Sequence, residues 1–341
     1  MKILVTGGAG FIGSNLVHYL LALEGDVMVV DDLSTGKVEN LDPRAEFRKM
    51  DVRDEALVEL ARQWQPEVIV HLAAQISVAK SMLEPELTRS VNVDGTWVVA
   101  RAALECGAQR VVFCSTAAVY GDPDADLLPL SETDPVAPIN PYGESKLAAE
   151  QVLREVLKPA GVDFAIARLS NVYGPRQDAS GEGGVVSAFC DALLHGAGLR
   201  IYGDGKQTRD FIYVGDVVMG LVSMIGGDIA FSSFGEESGE ESDGESGGGS
   251  SKESGEASDK GIFHLSTGQP LSVEYLARSL QRISRSMGAE FEYCAPREGD
   301  IYASVLDPGK ALDVFEWQVN VGFEQGLQKT WTWFQQQGQV G

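Results

Sequence analysis

Thr6-Gly7-Gly8-Ala9-Gly10-Phe11-Ile12-Gly13 follows the apolar run Ile3-Leu4-Val5 and opens a second apolar stretch, and its reading decides the fold. Gly8, Gly10 and Gly13 satisfy G-x-G-x-x-G between a strand-like and a helix-like segment, the context in which that spacing carries meaning. Without β-carbons the backbone turns tightly and approaches a pyrophosphate, whose charge meets the free N–H groups of the helix start. The next apolar strand ends in Val30-Asp31-Asp32, with Asp31 eighteen residues after Gly13. A carboxylate there accepts hydrogen bonds from an adenosine ribose and repels a 2′-phosphate, so NAD is expected rather than NADP. Asp51-Val52, after the third strand, suits the adenine, and Leu72-Ala73-Ala74, after the fourth, offers small residues to a dinucleotide.

Outward from this segment, strand-like blocks at residues 3–6, 27–30, 68–72, 111–114 and 164–169 alternate with helical patterns at 11–23, 55–64, 91–106 and 142–157. That alternation predicts an α/β fold, a doubly wound parallel sheet with ligands at the carboxyl ends of its strands. The expected organisation is an NAD-binding Rossmann domain over residues 1–170 and a smaller, interleaved substrate lobe over 171–341, with some segments returning to the first. Residues 232–260 hold nine acidic residues against two lysines in a Ser- and Gly-rich run, and are read as a disordered surface insertion. Helical patterns at 272–287 and 323–336 are read as packing helices, with Trp331, Trp333 and Phe334 in a core or interface.

At 341 residues and 44% apolar content the chain can bury a sizeable core. A net charge of −23 without a basic stripe argues against nucleic acid and anionic membranes as partners, and no stretch reaches membrane-spanning length. Any anionic substrate must therefore be held by a few arginines placed in a pocket. The apolar run directly behind Met1-Lys2 leaves no room for a leader pattern. Cys106, Cys114, Cys190 and Cys294 lack metal-site or disulfide-framework spacing, so no metal is expected and a reduced, cytoplasmic protein is.

Tyr142-Gly143-Glu144-Ser145-Lys146 carries the chemistry, behind Asn140-Pro141 at a helix start and after Cys114-Ser115-Thr116 at the end of the fifth strand. Tyrosine and lysine four apart share one helical face. A free phenol titrates near roughly pH 10, so it needs positive charge from Lys146 and an oxidised nicotinamide before it acts as a base near neutrality. Thr116 is placed to hydrogen-bond the reacting hydroxyl.

With Gly7-x-x-Gly10-x-x-Gly13, His71-Leu72-Ala73-Ala74, Ser115-Thr116-Ala117-Ala118-Val119-Tyr120-Gly121 and Tyr142-x-x-x-Lys146, the chain resembles the extended short-chain dehydrogenases, in their NAD-dependent epimerase/dehydratase group. The resemblance spans nearly the whole chain apart from the acidic insertion, and within the group it is most similar to the UDP-glucose 4-epimerases. Sister 4,6-dehydratases typically carry an Asp-Glu pair, and UDP-glucuronate decarboxylases a Glu, where this chain has Ala117-Ala118. The resemblance implies epimerisation at C4 of a UDP-sugar through a transient 4-keto intermediate, with retained NAD and a homodimeric assembly.

It further implies catalytic Thr116, Tyr142 and Lys146, and NAD contacts at Gly7, Gly10, Phe11, Ile12, Gly13, Asp31, Asp32, Asp51, Val52, Leu72, Ala73, Ala74, Tyr142 and Lys146. Substrate contacts are implied at Ser115, Thr116, Asn171, Arg209, Arg297 and Asp300, the two arginines gripping a diphosphate through charge-assisted hydrogen bonds. Two departures stand out: Ser77 replaces a lysine that many of these epimerases carry, and the small Ser304 implies room for an N-acetylated sugar. A sugar-nucleotide oxidoreductase or dehydratase, and a non-catalytic NAD-sensing protein, stay open as alternatives because function rests on the site.

Overall fold

Ile3, Val5, Val27, Val29 and Val70 alternate with Leu4, Met28, Val30 and Ile69 along neighbouring strands, and both sets are buried. Strands apolar on both faces belong in a parallel sheet covered on both sides. The computed structural model describes residues 1–179, 184–226, 261–296 and 299–338; the acidic insertion 232–260 and Arg297 lie outside the described residues.

The first half runs β1 (Lys2–Thr6), α1 (Phe11–Ala22), β2 (Asp26–Asp31), β3 (Glu46–Lys49), α2 (Ala56–Trp64) and β4 (Val68–His71). It continues through the short helices α3 (Val78–Leu83) and α4 (Pro85–Arg89), then α5 (Gly95–Cys106), β5 (Arg110–Thr116), α6 (Pro141–Leu157) and β6 (Asp163–Leu169). The second half comprises β7 (Asn171–Tyr173), α7 (Val185–Leu194), β8 (Leu199–Tyr202), β9 (Thr208–Tyr213), α8 (Val214–Gly226) and β10 (Ile262–Leu265). After these come β11 (Pro270–Ser272), α9 (Val273–Ser284), β12 (Phe291–Cys294), β13 (Ala303–Ser304), α10 (Gly309–Phe315) and α11 (Phe323–Gly338).

Seven parallel strands form the large sheet in the order β10-β6-β5-β4-β1-β2-β3. The order reverses between β1 and β4, which opens a crevice at their carboxyl ends. Leu16, Val17 and Leu20 of α1 cover one face together with Val217, Leu221 and Met224 of α8. Leu57 of α2, Val99 of α5 and Leu153 of α6 cover the other. Thus α8 and β10, both beyond residue 170, belong to the layers of the large sheet. The chain segment 91–106 begins as a π-helical turn, Ser90–Asp94, before α5.

A separate core joins α7, α9 and α11 through Phe189, Leu276, Leu280, Trp331 and Phe334. Beside it β9 pairs with β11, β13 and β7, and β8 with β12. No helix among the described residues is long and apolar enough to cross a membrane.

Two buried histidines tie these layers together. His71 Nδ1 pairs with the Thr6 hydroxyl at 2.7 Å and Nε2 with Thr96 at 3.0 Å, while His264 pairs with the Tyr120 hydroxyl at 2.6 Å. Burial is the main cause that pushes both imidazoles from 6.5 down to about 3. Between those values the unfolded chain binds protons that the native one refuses, so stability falls as pH drops through that window. The thermal midpoint is expected to fall from about pH 6.5 downward, and His264→Gln to make the stability-against-pH slope shallower by about one proton.

Candidate active site

At the crevice, Gly7 takes φ +72° and donates its N–H to Val30 O at 2.8 Å. A β-carbon there would sit 2.6 Å from the Ala73 nitrogen, and one on Gly13 would strike the Gly7 carbonyl. Only glycine lets β1, α1 and the segment after β4 come this close. Gly10 caps α1 without a side-chain hydrogen bond, and the first turn holds no acidic residue, so its N–H groups face outward for an anion. Gly8 has a different part: a β-carbon there would meet Val29 of the sheet.

One groove is lined by Gly7, Gly10, Phe11, Ile12, Gly13, Asp31, Asp32, Asp51, Val52, Leu72, Ala73, Ala74, Tyr142 and Lys146. Asp31 is buried and accepts from Ala9 N–H at 3.0 Å and Leu33 N–H at 2.8 Å; burial raises its carboxyl above the usual range. Asp51 is held by Arg53, which keeps its carboxyl low. The adjacent carboxylates Asp31 and Asp32 accommodate ribose hydroxyls and disfavour a third phosphate. Cradle, helix start and carboxylate together fit NAD.

Ser34, Thr35, Ile76 and Cys114 also line the groove and escaped the sequence reading. The polar Ser34-Thr35 pair behind Asp31-Asp32 was the available signal. Ser77 lies outside this lining: its hydroxyl caps α3 by accepting from Lys80 N–H at 3.1 Å.

Asn140 caps α6, accepting from Gly143 N–H at 2.9 Å, and Pro141 occupies the first turn, which sets Tyr142 beside the strand end. The Thr116 hydroxyl lies close enough to the Tyr142 phenol to favour its ionised form. Lys146 is buried, donates to Cys114 O at 2.9 Å and lies 4.8 Å from the Phe113 ring centroid.

Burial pushes the Tyr142 phenol up to about 12 and brings the Lys146 ammonium down to about 8. Activation of the phenol is expected from Lys146 together with an oxidised nicotinamide, and in the protein alone Lys146 is directed elsewhere. Its ammonium is committed to a backbone carbonyl, and the lowering influence on Tyr142 comes from Thr116. Ser115, expected at the substrate, also lines the groove; the residue is buried and its hydroxyl donates to Glu150 at 2.5 Å. In a strand, side chains alternate faces, so Ser115 cannot point where Thr116 does.

A second cleft is lined by Asn171, Arg209 and Asp300, with Tyr202 and Gln207. Asn171 stands two residues beyond Leu169, which lines the dinucleotide groove. The Arg209 guanidinium donates to Asp300 at 2.5 Å and to Thr208 O at 2.9 Å. Buried Asp210, gripped by Thr267 and Gly268, fixes the neighbouring backbone. Ser304 is buried on β13, in register with Arg209.

A glycine-cradled dinucleotide groove meeting a Thr-Tyr-Lys group at the end of β5 defines a short-chain dehydrogenase-type enzyme. Residues 3–228 match the NAD dependent epimerase/dehydratase family, and the chain belongs to that family. It is 40% identical to the UDP-glucose 4-epimerase of Mycolicibacterium smegmatis, over 99% of this chain and 100% of that protein. A UDP-glucose 4-epimerase from Thermotoga maritima, solved with UDP-glucose, superposes with TM-score 0.85 at 36% identity over 99% of both chains. The Thermus thermophilus UDP-glucose 4-epimerase in complex with NAD gives TM-score 0.84 at 33% identity, over 98% of this chain and 99% of that one.

Gly7→Ala is expected to lower stability by about 1–3 kcal/mol through the strained backbone and to strip NAD from the purified protein. Released NAD and the thermal midpoint, measured together, check this; wild-type NAD content would contradict the assigned close approach.

Proposed function

We propose that this protein is an NAD-dependent 4-epimerase acting on UDP-sugars of the UDP-glucose/UDP-galactose type. The observation that carries the reading is the Thr116 hydroxyl set close to the Tyr142 phenol, whose acidity it raises, beside Ala117 and Ala118. Inverting C4 requires one group that takes and returns the proton of the 4-hydroxyl. Eliminating water or carbon dioxide in sister enzymes enlists a carboxylate, and this chain has methyl groups at those positions.

Tyr142 is the base, and Thr116 holds the 4-hydroxyl in line with it. When bound, NAD supplies the positive charge that lowers the phenol and the carbon that accepts the C4 hydride and returns it to the opposite face. Lys146 holds its charge near the phenol from the Cys114 carbonyl. Arg209 grips the diphosphate, with Arg297 as its assigned partner; Asn171 contacts the sugar nucleotide and Asp300 turns to the uridine ribose.

Tyr142→Phe is expected to retain fold and NAD while turnover falls by at least about a hundredfold. Incubation of wild-type protein with UDP-galactose, without added NAD, should yield UDP-glucose with no net NADH. Stoichiometric NADH or a stable 4-keto product would overturn the epimerase reading in favour of an oxidoreductase or dehydratase.

The assembly in this reading is a homodimer, and four free cysteines suit a reducing cytoplasm. Trp97 on α5 is 44% exposed, with the Arg101 guanidinium 4.6 Å from its ring centroid, and is the aromatic residue assigned to the interface in this reading. Light scattering should give twice the chain mass, and Trp97→Glu should shift it toward the monomer; a wild-type monomer at micromolar concentration would remove the dimer.

A further inference from the structure

Three consecutive residues of β5 each engage one residue on a single face of α6. The carbonyl of Cys114 accepts from Lys146 at 2.9 Å, the hydroxyl of Ser115 donates to Glu150 at 2.5 Å, and the hydroxyl of Thr116 lies close to the Tyr142 phenol and favours its ionised form. Positions 142, 146 and 150 recur every four residues, so they stack along one side of the helix. Two of these three rungs carry the assigned chemistry. The third joins a hydroxyl to a carboxylate and is the most deeply buried.

Glu150 is fully enclosed, and Arg168 on β6 grips it with two hydrogen bonds of 3.0 and 2.7 Å. Arg168 lies beside Ser115 in the sheet register, so both reach the same carboxylate from adjacent strands. A third Arg168 hydrogen bond, 2.7 Å to the Tyr120 hydroxyl, continues to His264 on β10. A buried pair of charges costs desolvation and is a weak source of stability, but its geometry is strict. Leaving it half-satisfied is worse than omitting it.

We propose that Glu150, oriented by Arg168, is a positioning residue for catalysis: through Ser115 it sets the strand end that presents Thr116 to Tyr142, and its carboxylate supports the charge of Lys146. The proposal rests on the assignment of Tyr142 and Lys146 as catalytic. Lys146 faces the thiol of Cys114 on β5 and neutral His71 on β4, with Tyr142 and Glu150 on its own helix. Among these groups Glu150 is the standing negative charge, and it opposes the effect of burial on the ammonium.

Glu150→Gln should therefore lower kcat by about tenfold to a hundredfold, leave the KM for UDP-galactose within about twofold, and move the alkaline limb of the kcat profile to lower pH. Ser115→Ala, which removes the rung but keeps the charge, should lower kcat without moving that limb. Because Glu150→Gln strands Arg168, the neutral double variant Glu150→Gln/Arg168→Gln is measured beside it, with thermal midpoint and NAD content as controls for folding.

A folded, NAD-loaded Glu150→Gln protein, or double variant, with wild-type kcat and an unmoved alkaline limb would overturn the proposal. If neither folds, wild-type kcat in Ser115→Ala does so. Tyr142→Phe assayed in parallel separates the two failures: if it is active the catalytic assignment falls, and if it is inactive while Glu150→Gln is fully active only the role of Glu150 falls.

Discussion

The backbone approach of β1, α1 and the segment after β4 constrains everything else in the molecule. Gly7 and Gly13 remove the side-chain atoms that would hold these three apart. Their contact places the unpaired N–H groups of α1 at the crevice where the strand order reverses. Six of the seven strands bring something to that crevice: the glycine turn from β1, Asp31 from β2, Asp51 and Val52 from the end of β3, Leu72–Ala74 from β4, Cys114 from β5 and Leu169 from β6. A sheet packed on both faces makes these ends rigid, which a pre-organised site requires.

Charge is distributed in two registers. The chain is strongly acidic as a whole, yet its site is built from individual groups whose states are set by burial and single partners. Lys146 spends its ammonium on a carbonyl, Arg209 on Asp300, and Arg168 on Glu150. None of these cations is idle, so an incoming sugar nucleotide has to compete with Asp300 for Arg209. That competition favours a ligand bearing two negative phosphates over a neutral sugar.

Much of the site was legible along the chain because its parts are local. A glycine turn, a carboxylate at the end of a strand and a tyrosine four residues before a lysine each depend on the geometry of one turn or one helix. The polar edge strand Glu46–Lys49 left little trace, since an edge exposes one side and needs no apolar block. The helix α8 and strand β10 likewise read as part of an irregular second half. Their membership in the large sheet is a long-range pairing, Ile262 with Ile166 and Leu265 with Leu169, that no local pattern announces.

Ser115 and Glu150 mark where local reading stops. Between Cys114 and Thr116, Ser115 looks like one more hydroxyl at the mouth of the site; the pleat turns it inward, toward a carboxylate thirty-five residues away. Glu150 in the sequence is an ordinary acidic residue of an amphipathic helix, and only the packing of α6 against β5 and β6 buries it against Arg168. Sequence alone determined the fold class and the dinucleotide cradle, and it proposed the Thr116, Tyr142 and Lys146 set, because hydrogen-bond geometry and helical period act over a few residues. Tertiary structure decided that the Ser115 hydroxyl meets Glu150, in which direction burial shifts Tyr142 and Lys146, and that Glu150 pairs with Arg168, because desolvation and side-chain direction depend on neighbours distant in the chain.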